Sequence, residues 1–215
     1  MTILPTGKLP VYWKDGFLFF KKRKDPSIND ALIIDVKRIE NISRYLRTSQ
    51  STNITVNSSY YPVNDLSFLK YLPFVKGISI VDDHLDVEPV NQLHELQVLG
   101  IGSFNGIIDL DNFPHLQELG ISWTKQIKNI EKAEKLKWLW LDNYKDISLE
   151  RLKSLCNLNF LYLYRPTIKS LTGISGMSSL VELNIDTASK LETLVPPVAL
   201  PGHTFITKYS KMARE

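Results

Sequence analysis

The sequence is short of the residues that hold folds together covalently or through metals. Its single cysteine, Cys156, has no partner for an intramolecular disulfide, so the fold is not held by disulfides. Four histidines, His84, His94, His115 and His203, stand singly, which leaves little material for a zinc site. No apolar run of about 18 residues occurs, so no membrane span is expected. The opening stretch MTILPTGKLPVYWKDG contains no unbroken apolar segment of the kind a secretory signal requires. Asn53-Ile54-Thr55 and Asn57-Ser58-Ser59 therefore carry no weight as glycosylation acceptors, and a cytoplasmic protein is the expectation. A dominant charge is lacking too. Lys and Arg number 26 against 23 Asp and Glu, a formal net charge of +3, too little for a general nucleic-acid binder, which needs a clustered basic face. Gly-rich phosphate loops, Gly-x-Ser-x-Gly elbows and His-Glu-x-x-His helices are all missing. Neither catalysis nor a cofactor is expected.

What is present is a globular composition and a repeat. The 215 residues are 43% hydrophobic and 23% charged, a soluble profile with room for about one to one-and-a-half domains. The pattern Leu-x-x-Leu-x-Leu, with Ile or Val allowed, occurs at Val75/Ile78/Ile80, Leu96/Leu99/Ile101, Leu116/Leu119/Ile121, Leu136/Leu139/Leu141, Leu158/Leu161/Leu163 and Leu180/Leu183/Ile185. The middle residues are spaced 21, 20, 20, 22 and 22 apart. Each copy carries a second apolar cluster downstream, for example Ile107, Leu110 and Phe113; Ile127, Ile130 and Ala133; Ile147, Leu149, Leu152 and Leu155; Ile168, Leu171, Ile174 and Met177. Two clusters per ~20 residues suit a short strand, a turn and a return segment. One such unit cannot bury its own apolar face, so stacked units must share a core and pair their strands in parallel. The clearest return helix is expected around Ser148 to Cys156, with Cys156 packed inside it.

These residues resemble the leucine-rich-repeat family, in particular its short bacterial internalin-like class, over roughly residues 66–194. The best match is LNFLYLYRPTIKSLTGISGMSSL, Leu158 to Leu180. The resemblance implies an α/β solenoid: a curved parallel sheet on the concave face, and short helices or 3-10 turns on the convex face. The family places Asn three residues after the last strand leucine; here those positions hold Phe104, Thr124, Tyr144, Pro166 and Ala188. A bulged turn is expected in place of the asparagine ladder.

Residues 1–60 do not repeat and read as an N-terminal cap, 61–194 as the repeats, and 195–215 as a C-terminal cap and loose tail. Leu9 to Trp13, Asp15-Gly16 and Phe17 to Phe20 predict a hairpin with a type I′ turn. Ala31 to Ile34 predicts a third strand, and Val36, Ile39, Ile42 and Leu46 predict an amphipathic helix over Val36 to Arg47. Ile54 and Val56 read as a degenerate first repeat. Three prolines break the pattern after position 195, with Phe205 and Ile206 as a terminal capping strand.

Four clusters have a chemical reading and a plainer one. Asp82-Asp83-His84-x-Asp86 is metal-like, but hard cations need more convergent oxygens, and a polar turn is the better reading. His94 and His115 read as loop histidines, Cys156 as a packing cysteine rather than a nucleophile, and Lys21-Lys22-Arg23-Lys24 as a solvated loop.

The informative positions lie between the leucines, because side chains alternate along a strand. By analogy with the family these positions form the concave face. They read Gly77, Val98, Glu118, Trp138, Phe160 and Glu182; then Ser79, Gly100, Gly120, Trp140, Tyr162 and Asn184; then Val81, Gly102, Ser122, Asp142, Tyr164 and Asp186. Trp138, Trp140, Phe160, Tyr162 and Tyr164 should therefore form an exposed cluster beside a shelf of small residues, with Trp123 and Arg165 at its edge. Such aromatics make a binding surface, unless the N-terminal segment or the tail folds over them. Asp82, Glu118, Asp142, Glu182 and Asp186 against Arg165 leave this face at a formal −4, softened to −2 by Lys76 and Lys137. A protein partner with basic and apolar groups fits, and one form would be an immunity-type inhibitor of a toxin or other enzyme. The alternatives are a sugar or nucleotide site, or an enzyme, on the glycine and aromatic shelf, and a structural scaffold or oligomer subunit.

Overall fold

A computed structural model describes residues 11–21 and 30–191. The chain begins with a hairpin of β1 (Val11–Lys14) and β2 (Phe17–Phe20). Lys14 pairs with Phe17, so only Asp15 and Gly16 make the turn. Both have positive φ, 52° and 77°, as a type I′ turn demands. β3 (Ala31–Ile33) runs antiparallel to β2. A 3-10 turn, Val36–Arg38, then leads into α1 (Ile39–Ser49), which buries Ile42 and Leu46 one turn apart. The helix expected from Val36 thus starts as a 3-10 turn, because the Asp35 side chain caps Lys37 N–H at 3.1 Å, and it runs two residues past Arg47.

β4 (Asn53–Val56), β5 (Gly77–Ile80), β6 (Val98–Ile101), β7 (Ile108–Asp109), β8 (Glu118–Ser122), β9 (Ile127–Lys128), β10 (Trp138–Asp142), β11 (Phe160–Tyr164) and β12 (Glu182–Asp186) follow. One sheet holds ten strands in the order β1-β2-β3-β4-β5-β6-β8-β10-β11-β12, while β7 pairs with β9 separately. From β3 onward every pairing in the large sheet is parallel. The repeat markers form one row in register: Ile54, Ile78, Leu99, Leu119, Leu139, Leu161 and Leu183. Ile54 is therefore a true first copy. Hydrogen bonding is shared at the strand starts: the Lys137 carbonyl, for example, accepts from both Asn159 and Phe160 N–H at 2.8 and 3.0 Å.

The return segments are 3-10 turns at Ser67–Tyr71, Glu88–Gln92, Leu110–Asn112, Ile130–Lys132, Glu150–Leu152 and Ile174–Gly176. The helix expected at Ser148 to Cys156 contracts to the turn Glu150–Leu152. Leu149, Leu152 and Leu155 are fully buried nonetheless, since a spacing of three lines up one edge of a 3-10 turn. Strands about 4.8 Å apart leave little width for stacked α-helices about 10 Å across. Backbones of neighbouring turns do meet: a Cβ added at Gly176 would collide with the Lys153 carbonyl.

Three readings of individual residues are corrected. Cys156 is exposed, pointing away from its buried neighbour Leu155. Ile107 and Ile147 are exposed at 44% and 70%, and Ile108 and Leu149 enter the core in their place. Ile108 is the residue that pairs with buried Ile127 across β7 and β9, so Ile107 lies one position out of phase and faces the other way.

At the asparagine-ladder positions Phe104, Tyr144, Pro166 and Ala188 are buried, so apolar packing stands where amide bonds would. The chain leaves β10, β11 and β12 through left-handed residues, Asn143, Arg165 and Thr187, with φ of 63°, 52° and 58°. All the repeats share one core with β2, β3 and α1.

Candidate partner-binding face

Parallel register places the alternating residues of β8, β10, β11 and β12 in three rows. The first is Glu118, Trp138, Phe160 and Glu182; the second Gly120, Trp140, Tyr162 and Asn184; the third Ser122, Asp142, Tyr164 and Asp186. The aromatics lie side by side as expected. Their exposure is unequal. Phe160 is 41% exposed, whereas Trp140 is only 7% exposed; Trp138, Tyr162 and Tyr164 are half-buried.

The expected exposure of Trp140 is thus corrected. Its ring stacks on Tyr162 with centroids 6.3 Å apart and planes at 26°, and it also lies over Gly120. A Cβ at Gly120 would sit 3.7 Å from Trp138 Cζ3 and 3.9 Å from Trp140 Cε3, so the glycine shelf is partly roofed by the two indoles. Trp140 packs between its strand neighbours and leaves Phe160, Trp138, Tyr162 and Tyr164 to present the surface.

Trp123 and Asp142 are corrected as well. Trp123 is 7% exposed and packs edge-on against Tyr144 at 4.7 Å, with the Arg151 guanidinium carbon 5.1 Å from its ring centre. One residue past β8, strand alternation no longer directs its side chain. Asp142 is 6% exposed and accepts from Arg165, Nη2 to Oδ2 at 2.7 Å, Nη2 to Oδ1 at 2.8 Å and Nε to Oδ1 at 3.1 Å. That bonding holds the Arg165 guanidinium above its usual pKa. Arg165 also lies 4.8 Å from the Tyr164 ring centre. Asp142 is therefore a tether for Arg165 and not a rim charge.

The polar groups of the face are organised around the rings. Tyr162 donates its hydroxyl to Asp186 Oδ2 at 3.3 Å; burial first, then the Asp186 charge, raises its phenol pKa. Thr187 donates to the other Asp186 oxygen at 2.9 Å, and the Asn184 amide donates to Glu182 Oε1. Trp138, Phe160, Tyr162, Glu182 and Asn184 line a half-open depression of about 350 Å³. Asn184 stood in the sequence rows without being assigned to the site; its place two residues after Glu182 on one strand face was the available signal.

The other candidates fall elsewhere. Asp82 accepts from Ser58 N–H at 2.9 Å, Asp83 from Ser103 N–H at 3.2 Å, and Asp86 from Glu88 N–H at 3.1 Å, so these carboxylates hold loop backbone. Among the described residues no three His, Cys, Asp or Glu side chains converge as metal ligands. His94 Nδ1 lies 3.1 Å from the Asn112 carbonyl, and His115 is exposed in the matching loop. Lys21 is exposed. Lys22, Arg23, Lys24, Phe205 and Ile206 lie outside the described residues, as does the tail expected as a possible cover for this face, whereas the described strands of the N-terminal segment stand at the opposite end of the sheet from β10 to β12. Among the described residues no helix is long and apolar enough to cross a membrane.

No family model matches the chain, and no curated protein matches it. Solved structures do. An internalin, InlF, of Listeria monocytogenes superposes with a TM-score of 0.58 at 22% identity, covering 76% of this chain and 50% of that one. Internalin C2 of the same organism superposes with a TM-score of 0.54 at 17% identity, covering 73% of this chain and 72% of that one. The fold is a leucine-rich-repeat solenoid of the internalin type. The chain spans half the length of the InlF structure, so the likeness speaks for the repeat architecture and the expected fold class, concave sheet included.

Proposed function

We propose that this leucine-rich-repeat solenoid is a non-enzymatic protein-binding module whose partner docks on the concave strands β10 to β12. One observation carries the reading: Phe160 stands 41% exposed beside half-buried Trp138, Tyr162 and Tyr164, on a strand face turned away from the core. Rings held by a rigid sheet offer large contact area at low entropic cost, which is the character of binding hot spots. Glu118, Glu182 and Asp186 give the surroundings a negative charge that favours a basic partner and speeds its approach. An immunity-type inhibitor of an enzyme with a basic cleft is the narrower form this charge would serve.

The test is capture from the native cell extract by the wild type and by a Phe160→Ala/Tyr162→Ala variant. The captured partner is then purified and titrated against both by calorimetry. A stoichiometric partner whose affinity falls in the variant supports the reading. Normal binding by the variant removes the site. Binding to a glycan or nucleotide panel with no protein partner would favour the small-ligand alternative, and a concentration-dependent dimer alone would favour a scaffold.

A further inference from the structure

The depression on β10 to β12 has an unusual balance of polar groups. Two of its donors are engaged internally: the Tyr162 hydroxyl serves Asp186 at 3.3 Å, and one N–H of the Asn184 amide serves Glu182 Oε1. Two acceptors are left over. The second Glu182 oxygen accepts no hydrogen bond from the described residues, and the Asn184 carbonyl oxygen stands beside it on the same strand. Phe160 lies directly across from Glu182 in the register, and Tyr162 across from Asn184. The basic side chain of this face, Arg165, is turned onto Asp142 by three contacts of 2.7 to 3.1 Å. The lining thus offers a carboxylate and three aromatic rings, with no cation among the described residues that line it.

A neutral sugar draws nothing from net charge, and this lining carries a carboxylate with no Lys or Arg among its described residues. A guanidinium supplies what is missing: it is planar, stacks on aromatic faces, and carries five N–H donors with no acceptor. Ring faces and a carboxylate both favour a cation over an uncharged group of the same shape. We propose that the depression formed by Trp138, Phe160, Tyr162 and Glu182 receives an arginine side chain of the partner. This rests on the protein-binding reading and names the partner group that would anchor in it.

The test uses the full chain and two blocked tripeptides, acetyl-Gly-Arg-Gly-amide and its citrulline twin, which keeps the shape and removes the charge. NMR follows the Trp138 indole N–H, assigned with Trp138→Phe. The arginine peptide should shift that signal saturably, and at least about fivefold more tightly than the citrulline peptide. Glu182→Gln, which keeps the side-chain shape, should shrink the difference. Equal responses to the two peptides, or an undiminished preference in Glu182→Gln, would overturn the proposal. A response to an uncharged oligosaccharide with none to the arginine peptide would overturn it in favour of a sugar site. If a purified partner loses affinity in Phe160→Ala but not in Glu182→Gln, the arginine pocket fails while the protein-binding surface stands.

Discussion

Arg165, one residue past the end of β11, closes over Asp142 at the end of β10 with contacts of 2.7, 2.8 and 3.1 Å. The side chains are unequally placed, 53% exposed for Arg165 and 9% for Asp142. Arg165 reaches this position from a left-handed backbone, φ 52°. The pair clamps two successive repeats at the point where the chain leaves the sheet.

That inequality sets the order of two substitutions. Arg165→Met keeps much of the side-chain bulk but strands an enclosed carboxylate, and it should cost about 1–3 kcal/mol. Asp142→Asn leaves a half-exposed guanidinium that water can solvate, and it should cost less. Chemical denaturation at neutral pH measures both, and the reverse order would contradict the clamp.

Leu139 and Leu161 lie in the central row of the core, 0% and 1% exposed, with repeat neighbours on both sides. Truncating either to Ala should cost about 2–5 kcal/mol through lost burial and a residual cavity. Thermal unfolding unchanged from wild type would be incompatible with this register.

The aromatics of the concave face should divide by burial. Trp140→Ala removes a ring packed on Tyr162 and Gly120, and should destabilise the fold by about 3–5 kcal/mol. Phe160→Ala removes a ring that is already 41% exposed; it should leave stability nearly intact while weakening partner binding by about 2 kcal/mol or more. Paired unfolding and binding measurements on the two variants decide it, and similar stability losses in both would remove the distinction.

Alkaline pH should act on the N-terminal hairpin. Burial first, then the hydrogen bond to Asp30 at 2.6 Å, pushes the Tyr12 phenol up to about 12. Its neutral form is the one the fold prefers, so its contribution is complete below the unfolded value of about 10. That contribution is lost as pH rises from there through about 12. Tyr12→Phe has no such proton to lose, so the variant should gain on the wild type over this range. Denaturation curves at pH 9 and pH 11.5, chosen to lie on either side of roughly pH 10, should reveal it; a constant stability difference between the two proteins would exclude the linkage.

The sequence by itself determined the repeat, its register and the membership of each strand face. Leu-x-x-Leu-x-Leu spacing and strand alternation are local rules, and every marker from Ile78 to Leu183 meets its counterpart in the sheet. The hairpin turn at Asp15-Gly16 was legible for the same reason, since positive φ is a property of those two residues. Tertiary structure alone decided which of the outward residues reach solvent. Trp138 and Trp140 are indistinguishable by alternation, yet Trp140 has Tyr162 stacked on one side and the open backbone of Gly120 on the other. At the last strand residue and beyond it the local rule expires. Trp123, Asp142 and Arg165 then took their places from Tyr144, Arg151 and one another. Cys156 and Ile147 turned outward on either side of a return segment that tightened into the 3-10 turn Glu150–Leu152. The strand spacing imposed that tightening, and strand spacing belongs to the stack of repeats, which no single repeat contains.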